Sequence, residues 1–310
     1  MNKHPKSKIN IIIINWNEEK HTLECIKSLK NMISFNFEIE TVLVDNGSEK
    51  DSFQRLKNKI SKDVKIIRSE KNLGFTGGNN LGIKYALDKK SQYILLLNND
   101  TIVEKDFLKK IIESLEQDKN IGIIGPKINY LENKKLIWCI GGKLNSRTGN
   151  NKLLWNKYLD KYNKEQLVDV GYVSGCAMCV RSEIFRKIGL LDDNYFLYNE
   201  ESDFCLRAKR ILNIRTVCRL DAKIYHKISL SSGKISGLTE YYLIRNRLYF
   251  VKKHNTKCAY LFFLIYFTIF ILPTYTIYYP LRYKSLKILR YFYRGILDHF
   301  NHKYGKSNLF

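Results

Sequence analysis

The run Ile9-Asn10-Ile11-Ile12-Ile13-Ile14, closing on Asn15-Trp16-Asn17-Glu18, decides the fold class. A short, almost wholly apolar and β-branched run that stops at asparagines reads as a strand buried on both faces. Four runs of the same kind follow, at Glu40–Val44, Val64–Ile67, Tyr93–Leu97 and Ile121–Ile124. Helical patterns lie between them, at Glu18–Met32, Asp51–Ile60, Asn80–Leu87 and Glu104–Glu116, and Leu23, Ile26 and Leu29 share one face of the first. This alternation predicts an α/β fold, a Rossmann-like, mostly parallel sheet with helices on both faces. Ligands of such sheets bind outside the carboxyl ends of the strands. There the chain is polar three times: Asn15-Trp16-Asn17-Glu18, Asp45-Asn46-Gly47-Ser48 and Asn98-Asn99-Asp100. Turn chemistry accounts for one such cluster. Three at the same sheet edge predict a site.

Beyond residue 127 the pattern is less regular. It holds a hairpin region around Gly141-Gly142 and Arg147-Thr148-Gly149, an apolar strand at Val170–Val180, and a helix at Ser182–Ile188. Acids and then a helix follow over Tyr195–Arg210, and a further helix covers Thr239–Val251. Tyr195, Phe196 and Tyr198 read as core in preference to sugar-stacking surfaces. Residues 258–281 carry no charge, and 19 of these 24 are apolar. Pro273 is expected to interrupt this run, leaving an apolar stretch of 15 residues before it, ~22 Å if helical and short for a bilayer core of ~30 Å. Residues 252–310 hold ten Lys/Arg and one acid, Asp298. Positive charge on both flanks argues for a shallow or re-entrant helix pair at an anionic membrane surface and against a single crossing. The expected divisions are 1–127, 128–250 and a basic hydrophobic membrane-associating tail, 251–310.

The composition bounds the partners. Of 310 residues, 45% are hydrophobic and 27% charged, which excludes collagen-like and wholly disordered chains. Against 30 Asp+Glu stand 53 Lys+Arg, a net charge of +23, and such an excess points to an anionic partner. No nucleic-acid-reading module or basic–aromatic patterning accompanies it, so nucleic acid is not expected. The opening residues lack the long apolar core of a secretory signal. Seven cysteines scattered from Cys25 to Cys258 do not form a disulfide framework. Cys176-Ala-Met-Cys179 lacks the second pair of a zinc site and reads as strand core. Both observations place the catalytic face in the cytoplasm.

The run Tyr198-Asn199-Glu200-Glu201-Ser202-Asp203 concentrates three acids in four positions. Carboxylates so close raise one another's proton affinity unless a cation compensates, which suits a general base. They also suit a helix N-terminus. Asp100, at a strand end, is the kind of carboxylate that holds Mg²⁺ or Mn²⁺ on a diphosphate. His226 follows another short apolar strand, Ala222–Tyr225, and is either structural or a partner of that metal.

Seven segments, in order, resemble the family 2 glycosyltransferases of the GT-A fold, and within them the rhamnosyltransferase-like branch. They are Ile14-Asn15-Trp16-Asn17, Val44-Asp45-Asn46-Gly47-Ser48, Asn72–Gly82, Leu96-Leu97-Asn98-Asn99-Asp100, Val173-Ser174-Gly175-Cys176, Glu200-Glu201-Ser202-Asp203 and Ala222–His226. The resemblance spans roughly residues 9–250. It implies that Asp45 binds the nucleobase, and that Asn15, Asn17, Gly78, Asn79, Asn98 and Asn99 line the nucleotide-sugar site. It puts Asn98-Asn99-Asp100 in the place of the DXD metal motif, with Asp100 and His226 at the metal. Glu201 matches the catalytic base, with Glu200 and Asp203 as alternatives. Two positions depart from the family pattern: Asn98 replaces the first DXD acid, and Glu201 stands where an Asp is usual. Gly78-Asn79-Asn80 replaces an Ala-Arg-Asn common in relatives, as in the rhamnosyltransferase-like branch.

The expected enzyme is an inverting, metal-assisted glycosyltransferase of cell-surface polysaccharide synthesis. It moves a sugar, rhamnose being one candidate, from a nucleoside-diphosphate donor to a glycan or lipid-linked acceptor at the cytoplasmic face of the membrane. The rival readings are a non-catalytic sugar-nucleotide scaffold and a nucleotidyltransferase with a similar sheet.

Overall fold

The computed structural model describes residues 7–33, 36–161, 164–228 and 237–309. The chain opens with β1 (Ser7–Asn15), α1 (Glu19–Lys30), β2 (Phe37–Asn46), α2 (Lys50–Lys59), β3 (Lys65–Ser69), α3 (Gly74–Asp88), β4 (Tyr93–Asn98), β5 (Thr101–Val103), α4 (Phe107–Gln117) and β6 (Ile121–Tyr130). It continues with β7 (Ile137–Cys139), β8 (Gly142–Lys143), β9 (Lys152–Leu153), β10 (Leu167–Asp169), β11 (Ala177–Arg181), α5 (Ser182–Ile188), α6 (Glu200–Leu212) and β12 (Arg215–His226). It closes with α7 (Leu238–His254), α8 (Lys257–Tyr266), a π-turn (Phe267–Ile271), α9 (Leu272–Tyr283) and α10 (Lys287–Phe300).

Chain contacts divide the molecule into two compact units. The first comprises Met1–Lys143, Leu153–Asp192 and Glu201–Ile228. Its sheet runs in the order β10-β12-β6-β11-β4-β1-β2-β3, with β5 on β12 and β7 on β6. β1 is parallel to β2 and β4, and β2 to β3, so this half is the parallel sheet the sequence predicts. Ile9, Ile11, Ile12 and Ile13 are wholly buried, each contributing roughly 1.5–3 kcal/mol. Ile9, Ile11 and Ile13 pack with α1 and α4 residues such as Cys25, Leu29, Phe107 and Ile111. Ile12 points to the other face, against α3 at Gly82.

The helix expected at Asn80–Leu87 begins at Gly74, one and a half turns earlier. Gly74, Gly77 and Gly78 read as a loop by propensity. Close packing overrides that preference. A Cβ at Gly78 would lie 3.2 Å from Asn46 and Ile14, and one at Gly82 would overlap Ile12. Of the strand expected over Val170–Val180 only the end is formed, as β11 from Ala177; β10 precedes the run and lies elsewhere in the sheet, separated from β11 by β12 and β6. The chain crosses between them through Gly171 and Ser174-Gly175. The predicted hairpin near Gly141 is present as the β8–β9 pair. Cys176 and Cys179 are buried and unbonded, as strand core requires.

Gly47 turns the chain after β2 with φ +76, and a Cβ there would meet the Lys71–Asn72 backbone, 2.6 Å from Asn72 N. Left-handed backbone costs a non-glycine residue ~1–2 kcal/mol, and the overlap adds ~1–3 kcal/mol. Gly47→Ala is therefore expected to lower the unfolding free energy by roughly 2–5 kcal/mol in urea titration. An unchanged midpoint would refute this account of the turn.

The second unit comprises Leu144–Lys152, Asp193–Glu200 and Ser229–Phe310. Gly295 of α10 lets that helix approach α7, since a Cβ there would lie 2.6 Å from the Tyr241 carbonyl. Tyr241 donates to Asp298 at 2.7 Å. Phe196, Tyr198 and Asn199 all have positive φ, at 63, 70 and 75, a strained arrangement that surrounding contacts must hold. Asn246, fully buried, supplies them through bonds from Nδ2 to the carbonyls of Tyr195, Leu197 and Tyr198 at 3.0, 2.7 and 2.9 Å. Arg245, also fully buried, donates to the carbonyls of Asn194, Tyr195 and Gly305. Tyr195 is core, edge-on to Tyr249 at 5.1 Å, and Phe196 stacks on Tyr242 at 5.3 Å.

The apolar tail does not break at Pro273. Lys257–Tyr283 forms one helix of 27 residues, long and apolar enough to cross a membrane. Pro273 follows the π-turn, whose shifted hydrogen-bond register absorbs its missing N–H within the helix. No helix pair forms within the run. Its large apolar side chains are mostly exposed, including Leu261, Phe262, Ile269, Phe270, Ile277 and Leu281.

Candidate active site

The parallel register brings the three polar clusters together. Asn15 at the end of β1 stands beside Asp45 on β2, and Ile14 beside Asn98 on β4. Asn15 Nδ2 donates to Asp45 Oδ1 and to Ser48 Oγ, both at 3.1 Å. Thr22 donates to Asn15 Oδ1 at 2.9 Å and accepts from Asn99 Nδ2 at 2.9 Å. The Asn17 N–H donates to Ser48 Oγ at 3.0 Å, and Asn17 Oδ1 accepts from the Glu49 N–H at 2.9 Å. One hydrogen-bonded web thus joins the ends of β1, β2 and β4 to the first turn of α1.

Asp45 is fully buried. Its Oδ2 lies 3.5 Å from Arg68 Nε yet makes no hydrogen bond among the described residues. A buried carboxylate oxygen without a donor is an acceptor in waiting. Arg68, on β3 opposite Asp45, lies over the Phe53 ring at 4.1 Å and donates to the Ser48 carbonyl. Arg68 and Thr22 escaped the sequence reading. For Arg68 the signal is its cross-strand position, which exists only once the register is known. Gly78 and Asn79 lie inside α3. Gly78 faces Asn46 and Ile14, and the buried Asn79 donates to the Phe75 carbonyl at 3.0 Å.

At the other side of β4, His226 at the end of β12 pairs with Thr101 of β5. This sets His226 Nε2 3.2 Å from Asp100 Oδ1. Asp100 Oδ1 makes no hydrogen bond among the described residues, and neither does His226 Nδ1. Asp100 Oδ1 and His226 Nε2, 3.2 Å apart, are close to the separation of neighbouring ligands, each ~2.1 Å from a Mg²⁺ or Mn²⁺. No cluster of three or more His, Cys, Asp or Glu exists among the described residues. Such an ion fits here only if the ligand and water complete its shell, as is usual for a metal on a diphosphate. Trp138 packs on the His226 ring at 4.7 Å.

Of the three clustered acids, Asp203 is fully buried and committed to Arg207 at 2.8 Å, which itself donates to the carbonyls of Ile188 and Leu190. Glu200, also buried, opens α6. Glu201 Oε2 is buried without a hydrogen bond among the described residues. Burial pushes its carboxyl up to about 6, a shift partly offset by the backbone N–H groups of Glu201 and Ser202. Burial likewise pushes the Cys139 thiol up to about 12, and the Glu201 charge adds to that shift. Glu201 is thus close to Cys139, the residue after Trp138.

A sheet of this order, with polar clusters at the ends of its parallel strands and a DXD-like turn after β4, is the GT-A fold. Residues 10–189 match the family described as Glycosyl transferase family 2. The low-salt glycan biosynthesis hexosyltransferase Agl10 of Haloferax volcanii is 31% identical over 244 residues, covering 77% of this chain and 74% of that protein. The dTDP-rhamnosyl transferase RfbF of Shigella flexneri is 24% identical over 262 residues, covering 80% and 81%. Among solved structures, TarS 1–349 of S. aureus in complex with UDP-GlcNAc superposes with a TM-score of 0.60 at 17% identity, covering 94% of this chain and 80% of that one. GalNAc-T7 with UDP, GalNAc and Mn²⁺ gives 0.58 at 18% identity, covering 72% and 44%. The chain belongs to glycosyl transferase family 2 and is a glycosyltransferase.

Proposed function

We propose that this glycosyltransferase transfers a sugar from a nucleoside-diphosphate donor to a hydroxyl of a glycan or lipid-linked acceptor, with inversion. The observation that carries this reading is Glu201: a carboxylate with one unpartnered buried oxygen and a proton affinity raised to about 6. That value suits a base that must be ionised near neutrality yet able to accept a proton. Glu201 takes the proton of the acceptor hydroxyl, whose oxygen attacks the anomeric carbon opposite the leaving diphosphate. Asp45 Oδ2 accepts from the nucleobase, and Asn15, Asn17 and Asn99 hold the surrounding loops in place. Gly78, Asn79 and Asn98 complete the donor site from α3 and the end of β4. Asp100 and His226 would hold a Mg²⁺ or Mn²⁺. When bound, that ion stabilises negative charge developing on the leaving group.

The relatives named for glycan synthesis and for dTDP-rhamnosyl transfer support polysaccharide synthesis and put dTDP-rhamnose first among donors. The exposed apolar helix Lys257–Tyr283, ~40 Å long and flanked by Lys252, Lys253, Arg282 and Lys284, supports binding to an anionic membrane from its cytoplasmic face.

The test incubates detergent-purified protein with dTDP-, UDP- and GDP-sugars, Mn²⁺ or Mg²⁺, and lipid-linked glycans, and reads released nucleoside diphosphate. Acceptor-stimulated release from one donor is expected. Binding of donors with no release under any acceptor would overturn this reading in favour of a sugar-nucleotide scaffold.

A further inference from the structure

Lys227 follows His226 at the end of β12, and its backbone N–H donates to the Asp100 carbonyl at 2.9 Å. Its backbone is therefore tethered at the DXD-like turn. The ammonium nitrogen lies 2.8 Å from His21 Nε2. His21 Nδ1 in turn lies 3.3 Å from Glu18 Oε2. An ammonium only donates, so His21 Nε2 must accept and the ring proton sits on Nδ1, facing Glu18. The imidazole is thus a neutral spacer, oriented by a carboxylate, that holds a lysine by its lone pair. His21 belongs to the first turn of α1, and its neighbour Thr22 is bonded to both Asn15 and Asn99. The lysine is anchored to the same web that joins the strand ends.

Its partner sets Lys227 apart from the other inward-facing cations of this unit: Arg181 is spent on the Ile121 and Leu115 carbonyls, and three others meet carboxylates. Lys127 is paired with Asp160 at 2.6 Å, Arg207 with Asp203 at 2.8 Å and Arg219 with Asp221 at 2.9 Å. Among the described residues no carboxylate lies within ion-pair distance of Lys227, whose side-chain partner is His21. A carboxylate in that place would cancel the charge, whereas a neutral imidazole fixes its position and leaves it whole. An oriented ammonium, half-buried and uncancelled, on a residue whose backbone is bonded to Asp100, is built for an anion carried on the same ligand.

We propose that Lys227, aimed by the Glu18–His21 pair, binds the diphosphate of the nucleotide and holds the leaving group by direct charge, in addition to any divalent ion. The proposal rests on the nucleoside-diphosphate donor reading above. Its test removes the metal. Isothermal titration in EDTA would measure dTDP, UDP and GDP, and the matching nucleosides, against the wild type, Lys227→Met, Lys227→Arg and His21→Ala. A lost hydrogen bond to a charged group predicts about tenfold or more weaker nucleoside-diphosphate binding for Lys227→Met. Nucleoside binding is expected to stay unchanged, with partial recovery in Lys227→Arg and an intermediate loss in His21→Ala. Equal diphosphate affinity in wild type and Lys227→Met overturns the proposal. So does equal weakening of nucleoside and diphosphate, which would mark a structural role. No nucleotide binding by the wild type, with or without Mn²⁺, overturns the donor reading itself.

Discussion

Glu201→Gln is expected to lower sugar transfer by about 10²–10⁴-fold, the range a positioned general base supplies, and at the same time to make the protein more stable. The two effects share a cause. Burial raises the Glu201 carboxyl from its ordinary value of 4.5 to about 6. Below pH 4.5 the group is protonated in both folded and unfolded chains, and nothing is lost. As pH rises from 4.5 to 6 the unfolded chain releases the proton and the folded one retains it, so stability falls. Above pH 6 the loss is complete, at roughly 2 kcal/mol. Glutamine carries no charge to bury, so the variant gains about that much at pH 7.5 and nothing near pH 4. The wild-type rate should rise tenfold per pH unit below about 6 and level off above it. Thermal melts at both pH values, beside a pH–rate profile of the wild type, check all three statements. Full activity in Glu201→Gln would pass the role to Glu200, because Asp203 is committed to Arg207.

Asp100→Ala carries the second large effect. Removal of a ligand that fixes a divalent ion on the leaving group is expected to cost about 10²–10³-fold in transfer, from a contribution of several kcal/mol. Stability should change little, because Asp100 Oδ1 supports no hydrogen bond among the described residues. The variant should also lose Mn²⁺ binding in the presence of nucleotide, read by electron paramagnetic resonance. EDTA should depress wild-type transfer to about the level of the variant and leave the variant unmoved. Transfer indifferent both to EDTA and to Asp100→Ala would remove the metal from the mechanism.

The contrast between Glu201 and Asp203 shows where the sequence stops. Both are acids in one short run, and local pattern treats them alike. Their environments differ because Arg207, one helical turn beyond Asp203, points back to it while donating to the Ile188 and Leu190 carbonyls. Glu201 has no such partner for its buried oxygen. Arg68 and Lys227 make the same point. Arg68 meets Asp45 through the register of β2 and β3, and Lys227 meets His21 across 206 residues of chain. No local pattern encodes either meeting.

The sequence by itself determined the parallel half of the fold, because each buried strand must be apolar along its whole length and each covering helix must repeat its apolar face. It also determined that Asn15, Asp45 and Asn98 share an edge, since parallel strands joined by helices all end on the same side. The boundaries that failed were those where packing overrules propensity. Glycines that read as loop became helix because close packing of α3 on β1 requires them, and of the apolar run Val170–Val180 only the end became strand. Pro273 failed to break the helix Lys257–Tyr283 because it follows the π-turn Phe267–Ile271, whose shifted hydrogen-bond register absorbs the missing N–H. Which acid is poised to accept a proton and which cation is left uncancelled were decided by tertiary structure alone. Both depend on desolvation and on partners distant in sequence, quantities that exist only once the chain has folded.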